Sequence, residues 1–170
     1  MLFRSTTEWN VHSDPEALAS VLTAFDGPGA TCSPVLCPLD HTENSLITPE
    51  RRAALTAGGG ALLEALDLAL QFYMEFHESD GLGFIAHVHD PFVTALAVNT
   101  ALDNGLVLAQ SLPVALDVEL TGTLTRGQTV ADWLGRWGRE PNAKALVAAD
   151  AETFFEHFIE TVRARYAVAS

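Results

Sequence analysis

At three points in this chain a side chain able to cap a helix is followed at once by proline and then by a helical pattern: Asp14-Pro15, Thr48-Pro49 and Asp90-Pro91. Proline lacks a backbone N–H and holds φ near −65°, which suits the first turn of a helix and disrupts its interior. Each pair therefore predicts a helix start. Ser13 and Glu16, three residues apart around the first pair, complete a capping box. The predicted helices cover residues 17–25, stopped by Gly27-Pro28-Gly29, then a stretch opening at Thr48, then residues 90 to about 103, ending near Asp103-Asn104-Gly105. Two more are expected: one over 61–77, with Leu62, Leu66, Ala69, Leu70 and Tyr73 on one face, and an amphipathic one over 151–167.

The segments between these helices read as strands. Val35-Leu36-Cys37-Pro38-Leu39 is short and largely apolar, as expected where both sheet faces are covered. Val114, Leu116, Val118 and Leu120 alternate with smaller or polar residues, which predicts a hairpin or two strands around Gly122. Residues 144–148 supply one more. Strands and helices alternate, so the fold class is α/β: an open mixed sheet flanked by helices. Without an internal repeat, low-complexity tract or linker, residues 1–170 are expected to form a single domain.

Composition narrows the function classes. Hydrophobic residues make up 48% and charged residues 18% of the 170, a globular balance able to bury a core. Nine basic residues against 22 acidic ones give a net charge of −13, which argues against nucleic acid as a partner, since phosphate contacts need clustered Lys and Arg. No apolar run approaches the ~20 residues that span a membrane, and the start of the chain lacks the basic-then-apolar order of a secretion signal. A cytoplasmic protein that binds neither membrane nor nucleic acid is expected. Cys32 and Cys37 have no partners at zinc spacing and are expected to be small buried residues on or beside a strand.

Two clusters carry chemistry. In His89-Asp90-Pro91, Asp before Pro is an ordinary cap and its histidine neighbour can be simply packed. The same residues offer a hard carboxylate oxygen to a cation and an imidazole suited to proton transfer near neutrality. Glu8-Trp9-Asn10 reads either as a loop with an aromatic plug or as two hydrogen-bonding side chains and an apolar surface for a sugar. Thr42, after Asp40-His41, is unremarkable by itself.

Taken in order along the chain, these segments resemble blocks characteristic of the inosine-uridine nucleoside hydrolase family. The resemblance rests on residues 6–17, on Pro38-Leu39-Asp40-His41-Thr42, on residues 86–92, on Val118-Glu119-Leu120-Thr121-Gly122 and on residues 125–132. It implies hydrolysis of the N-glycosidic bond of ribonucleosides with a bound Ca²⁺. By the same resemblance, Asp90 and the backbone carbonyl of Thr42 are calcium ligands, and His89 assists departure of the base. Glu8, Trp9 and Asn10 contact the ribonucleoside; Trp9 stands where the family typically carries an aromatic such as phenylalanine.

The resemblance covers only the C-terminal portion of such an enzyme. Nothing in this sequence matches the family's D-x-D-P-G-x-D-D block, which supplies most calcium-binding carboxylates and the base that activates water; Asp40, Asp80 and Asp103 are isolated. One carboxylate and one carbonyl fall well short of the 6–8 oxygens that Ca²⁺ takes, so calcium binding by this chain alone is expected to be weak. Open sheet edges and apolar surface are expected to favour association, with a separate N-terminal half or in a homo-oligomer. Three readings follow: a truncated or split hydrolase with little activity alone, a non-catalytic nucleoside-binding or assembly module, or a sequence whose Met1 is an internal methionine.

Overall fold

The computed structural model describes residues 7–26, 32–103 and 105–167, which form two compact units. The first comprises Met1–Leu39 and Gln110–Ala148, the second Asp40–Ala109 and Ala149–Ser170. The architecture is mixed α/β, as the alternation of elements predicts.

The first unit opens with α1 (Trp9–Ser13) and α2 (Pro15–Ala24). Asp14 caps α2 by accepting the Ala17 N–H at 2.9 Å, with Pro15 at the first position, and a ring that cannot donate is harmless there. The glycine-proline stop expected after α2 lies outside the described residues. Strands β1 (Val35–Leu36), β4 (Ala109–Val118), β5 (Thr129–Asp132) and β6 (Ala143–Ala149) form one sheet in the order β1-β6-β4-β5. β1 runs parallel to β6, with Val35 opposite Lys144, and β4 runs antiparallel to β5, from Ala115–Asp132 to Val118–Thr129. The sheet is therefore mixed, and the expected hairpin is present with a longer connection than Gly122 alone. Glu119 organises that connection: its Oε1 accepts the backbone N–H groups of Thr121 and Gly122 at 2.7 and 2.9 Å.

The apolar centre of this unit joins Leu22 of α2 to Val114, Leu116, Ala143 and Ala145. Asn142 sits among them with no exposed surface. Its Oδ1 accepts the Leu116 N–H at 2.8 Å, and its Nδ2 donates to the carbonyls of Leu116 at 3.1 Å and Leu22 at 3.5 Å. One amide thus serves backbone groups of both β4 and α2. Gly127, at φ 89°, packs against α1, where an added Cβ would lie 3.1 Å from His12 Cα.

Two expectations need correction here. The strand predicted through Leu39 ends at Leu36, because Pro38 has no N–H to give and Leu39 begins a helix instead. The cysteines are not both buried: Cys32 is exposed and Cys37 is half-buried, its thiol pushed up by desolvation.

The second unit takes in α3 (Leu39–Thr42), β2 (Leu46–Ile47), α4 (Pro49–Thr56), α5 (Ala61–Ser79), β3 (Ala86–His87), α6 (His89–Leu102) and α7 (Ala151–Tyr166). Thr48 and Asp150 cap α4 and α7 with side-chain oxygens, and α4 packs against both α5 and α7. The buried centre is aromatic on one side: Phe92 meets Phe154 edge-on at 5.4 Å, and Phe154 stacks on Phe158. Arg51 lies with its guanidinium 4.1 Å above the Phe155 ring, donates to the Leu46 carbonyl at 2.8 Å and pairs with Glu152. Arg52 forms a two-pronged pair with Asp67 at 2.7 and 2.6 Å, joining α4 to α5.

The packed face of α5 differs from the predicted one. Leu63, Leu70, Met74 and His77 are buried, whereas Leu62 and Tyr73 are exposed. The helix carries apolar residues on more than one side, so periodicity alone cannot choose between them.

Replacing Asn142 by Ala leaves the buried Leu116 N–H and carbonyl without that partner. We expect a loss of about 2–3 kcal/mol, read from urea denaturation, with the far-ultraviolet spectrum unchanged.

Candidate functional site

The residues singled out from sequence fall in both units. In the first unit, Glu8 precedes α1 in extended backbone (φ −63°, ψ 137°), and its carbonyl accepts the His12 N–H at 2.8 Å. The segment read as a loop is thus the start of a short helix. The Glu8 carboxylate accepts the Leu39 N–H through both oxygens, at 3.0 and 3.3 Å. Trp9 is half exposed and Asn10 exposed. A carboxylate anchored at its base, an open amide and an indole therefore line up at the head of α1.

In the second unit, β2 and β3 form a two-stranded antiparallel ribbon with Leu46 opposite His87 and Ile47 opposite Ala86. The Val88 N–H extends the ribbon to the Ser45 carbonyl at 2.9 Å. This pairing brings Thr42 beside His89, whose Nδ1 lies 3.0 Å from Thr42 Oγ1. Thr42 is buried, and its carbonyl accepts the Ser45 N–H at 3.0 Å, leaving the oxygen's second lone pair.

Asp90 does not cap α6. The helix starts at His89 with Val88 in the cap position, so Asp90 falls within the first turn, exposed. Val88 ends the ribbon and opens the helix: its N–H donates to the Ser45 carbonyl and its carbonyl accepts the Phe92 N–H, which sets the helix start two residues before the proline pair predicts. The Asp90 carboxylate is therefore not spent on capping, and its negative charge is favoured by the helix N-terminus.

A ladder of rings that sequence reasoning missed leads to His89. His87 and His89 are parallel, 1° apart in plane with centroids 5.4 Å apart; His77 lies 5.2 Å from His87, and Tyr73 meets His77 edge-on at 4.3 Å. His77 donates its Nδ1–H to the Tyr73 carbonyl at 2.9 Å, since a carbonyl can only accept. No motif spacing announces this group. Its one sequence signal is the alternation His87-x-His89, which puts two imidazoles on one side of an extended segment.

Burial pushes the His87 imidazole below its ordinary 6.5, and the neighbouring charges of His89 and His77 push the same way; the Glu43 backbone pulls against them. His87 Nδ1 is buried without a hydrogen-bond partner among the described residues, which suits a neutral ring. Burial, then the charge of Asp90, raises the Tyr73 phenol. Among the described residues no three His, Cys, Asp or Glu side chains converge as a metal site. Asp90 and the Thr42 carbonyl would supply two oxygens, against the 6–8 that Ca²⁺ takes.

The fold defines an α/β protein with a mixed sheet flanked by helices. The chain belongs to the inosine-uridine preferring nucleoside hydrolase family, whose description it matches over residues 3–156. It is 29% identical over 150 residues to the pyrimidine-specific ribonucleoside hydrolase RihA of Escherichia coli strain K12, an alignment covering 88% of this chain and 44% of that protein. Among solved structures it is similar to a purine-preferring ribonucleoside hydrolase from Gardnerella vaginalis (TM-score 0.76, 22% identity), covering 96% of this chain and 48% of that one. It is also similar to an inosine-guanosine nucleoside hydrolase (TM-score 0.70, 28% identity), covering 98% and 48%. The chain thus spans about half the length of the relatives it matches. Among the described residues, no helix is long and apolar enough to cross a membrane.

Because the fold favours neutral His87, unfolded chains take up a proton on acidification before folded ones do. The stability tied to this residue is complete above the ordinary 6.5 and is lost as pH falls through that value. Thermal melts should show a Tm that declines below that point, and His87→Gln should flatten the decline; an unchanged slope would remove His87 from its cause.

Proposed function

We propose that this chain supplies the leaving-group side of a ribonucleoside N-glycosidic hydrolase. The observation that carries this reading is the His89 imidazole held at the head of α6 by Thr42 Oγ1 at 3.0 Å, beside an uncapped Asp90, in a chain of this family. With Nδ1 occupied by the threonine hydroxyl, Nε2 is the ring atom left to face a substrate. In the reaction, water adds to C1′ of the ribose as the C1′–N bond breaks, and the base leaves carrying a proton. His89 gives that proton, a transfer suited to imidazole near neutrality. Glu8 and Asn10 hydrogen-bond the sugar hydroxyls, with Trp9 as an apolar wall.

Asp90 and the Thr42 carbonyl offer two oxygen ligands toward Ca²⁺, and the remainder, with the carboxylate that activates water, belong to sequence outside this chain. The substrate is a ribonucleoside; relatives named for pyrimidine, purine and inosine-guanosine preference leave the base open. A non-catalytic module is the weaker reading, given that every relative cited is named as a hydrolase. Cytoplasmic action in nucleoside salvage fits the same picture.

Ribose release from inosine and uridine tests the reading, using the purified chain alone and the chain joined to the N-terminal portion of RihA, each with calcium and with chelator. We expect turnover from the joined protein only, abolished by chelator. His89→Ala should lower its kcat by about 10²–10⁴-fold. Turnover by the lone chain would overturn this division of labour. Calorimetry on the lone chain should show weak calcium binding that Asp90→Asn weakens further; tight one-to-one binding would contradict the reading.

A further inference from the structure

We propose that His87 is a positioning residue for His89: its ring is a flat platform that fixes the plane of the His89 imidazole, and with it the direction of Nε2. The inference rests on the reading of His89 as the proton donor to the leaving base. His89 is half-buried, and its ring is tied through Nδ1 to Thr42 Oγ1 at 3.0 Å. A bond at one ring atom leaves the ring free to turn about it. The χ2 torsion of histidine joins an sp³ to an sp² atom, so its wells are broad and the ring plane is left to its neighbours. A proton donor has to be aimed, since a misplacement of about 1 Å can cost roughly a hundredfold in rate.

His87 supplies the second restraint. Its ring is parallel to that of His89 within 1°, with centroids 5.4 Å apart, inside the range of about 4.5–7 Å for offset stacks. The platform is itself held from three directions. Its backbone is paired opposite Leu46 in the β2–β3 ribbon. Its ring is hydrogen-bonded to the Glu43 backbone. Behind it, His77 lies 5.2 Å away at 44°, only 6% exposed and bonded through Nδ1 to the Tyr73 carbonyl at 2.9 Å. The line of rings therefore runs from the packed face of α5, through β3, to the head of α6.

The two contacts on His89 divide the work: Thr42 holds an atom and His87 holds a plane. Val88 alone separates the stacked rings in sequence, so the register of the ribbon is passed to His89 through one residue. His87 Nδ1 is shut off from solvent, which fits a residue that acts through His89 and not on the substrate.

Carbon relaxation of the histidine ring C–H groups in the full chain tests the proposal, comparing the unsubstituted chain with His87→Ala and His87→Phe. We expect a His89 ring order parameter of about 0.8 in the unsubstituted chain and below about 0.6 in His87→Ala. His87→Phe, which offers a flat face again, should restore it. The Val88 amide, bonded to the Ser45 carbonyl, should stay protected from hydrogen exchange in all three, as an intact ribbon requires. A rigid His89 ring in His87→Ala would overturn the proposal. Should alanine loosen the ribbon, His87→Leu fills the space without a flat face, and a rigid His89 ring there overturns it equally. In the protein joined to the N-terminal portion of RihA, His87→Ala should lower kcat about tenfold with KM unchanged, and His87→Phe should recover it to within about threefold. Ring order is read without turnover, so its failure removes the platform and leaves the proton-donor reading standing. An unchanged kcat in His89→Ala does the reverse.

Discussion

The chemistry of the second unit hangs on a ribbon only two residues wide. Leu46 and Ile47 pair with His87 and Ala86, and the Val88 N–H adds one more rung to Ser45. These bonds join segments about 40 residues apart, and every residue between them belongs to α4, α5 and their loops. A ribbon this short is not stable alone. It persists because α4 and α5 are fixed elsewhere, through the Arg52–Asp67 pair, the Arg51 contacts and the buried Leu55 and Leu63. In return it sets the register that puts Thr42 against His89, and a slip of one residue would turn His87 and His89 to the opposite face.

The same economy governs where polar groups are buried. Asn142 and Glu8 each join backbone atoms distant in sequence, Asn142 across β4 and α2, Glu8 from the head of α1 to Leu39. A buried amide, or to a lesser degree a half-buried carboxylate such as that of Glu8, is costly unless its hydrogen bonds are made, so each tolerates few alternative packings. For Glu8 this has a functional edge. Oxygens that already accept a backbone N–H are held in place, and if Glu8 binds a sugar as proposed, a pre-oriented acceptor loses less entropy on binding.

What could be read from the residues divides along a physical line. Helix starts are legible because capping is local: Asp14 and Thr48 act within three residues of themselves. The exception is Asp90, which falls inside the first turn because Val88, paired to Ser45 at the end of the ribbon, takes the cap position. The packed face of α5 was misread because two apolar stripes give no single phase. β2 and β3 were invisible, as two-residue strands carry no period. For the site, the letters His89, Asp90 and Thr42 could be picked out, but the Thr42–His89 contact spans 47 residues and the histidine ladder follows no motif.

The distribution of chemistry in this chain is one-sided, and the sidedness has a physical consequence. Breaking a glycosidic bond needs a group that protonates what leaves and a group that activates what attacks, set on opposite faces of the sugar. His89 suits the first task; a carboxylate with the clustered partners needed for the second is absent from the sequence. Asp90 does not cap its helix and lies in the first turn of α6, where the helix N-terminus favours its charge. The chain aligns over about nine-tenths of itself with less than half of each relative, so the residues proposed for the leaving-group side are argued from this portion of the family fold alone.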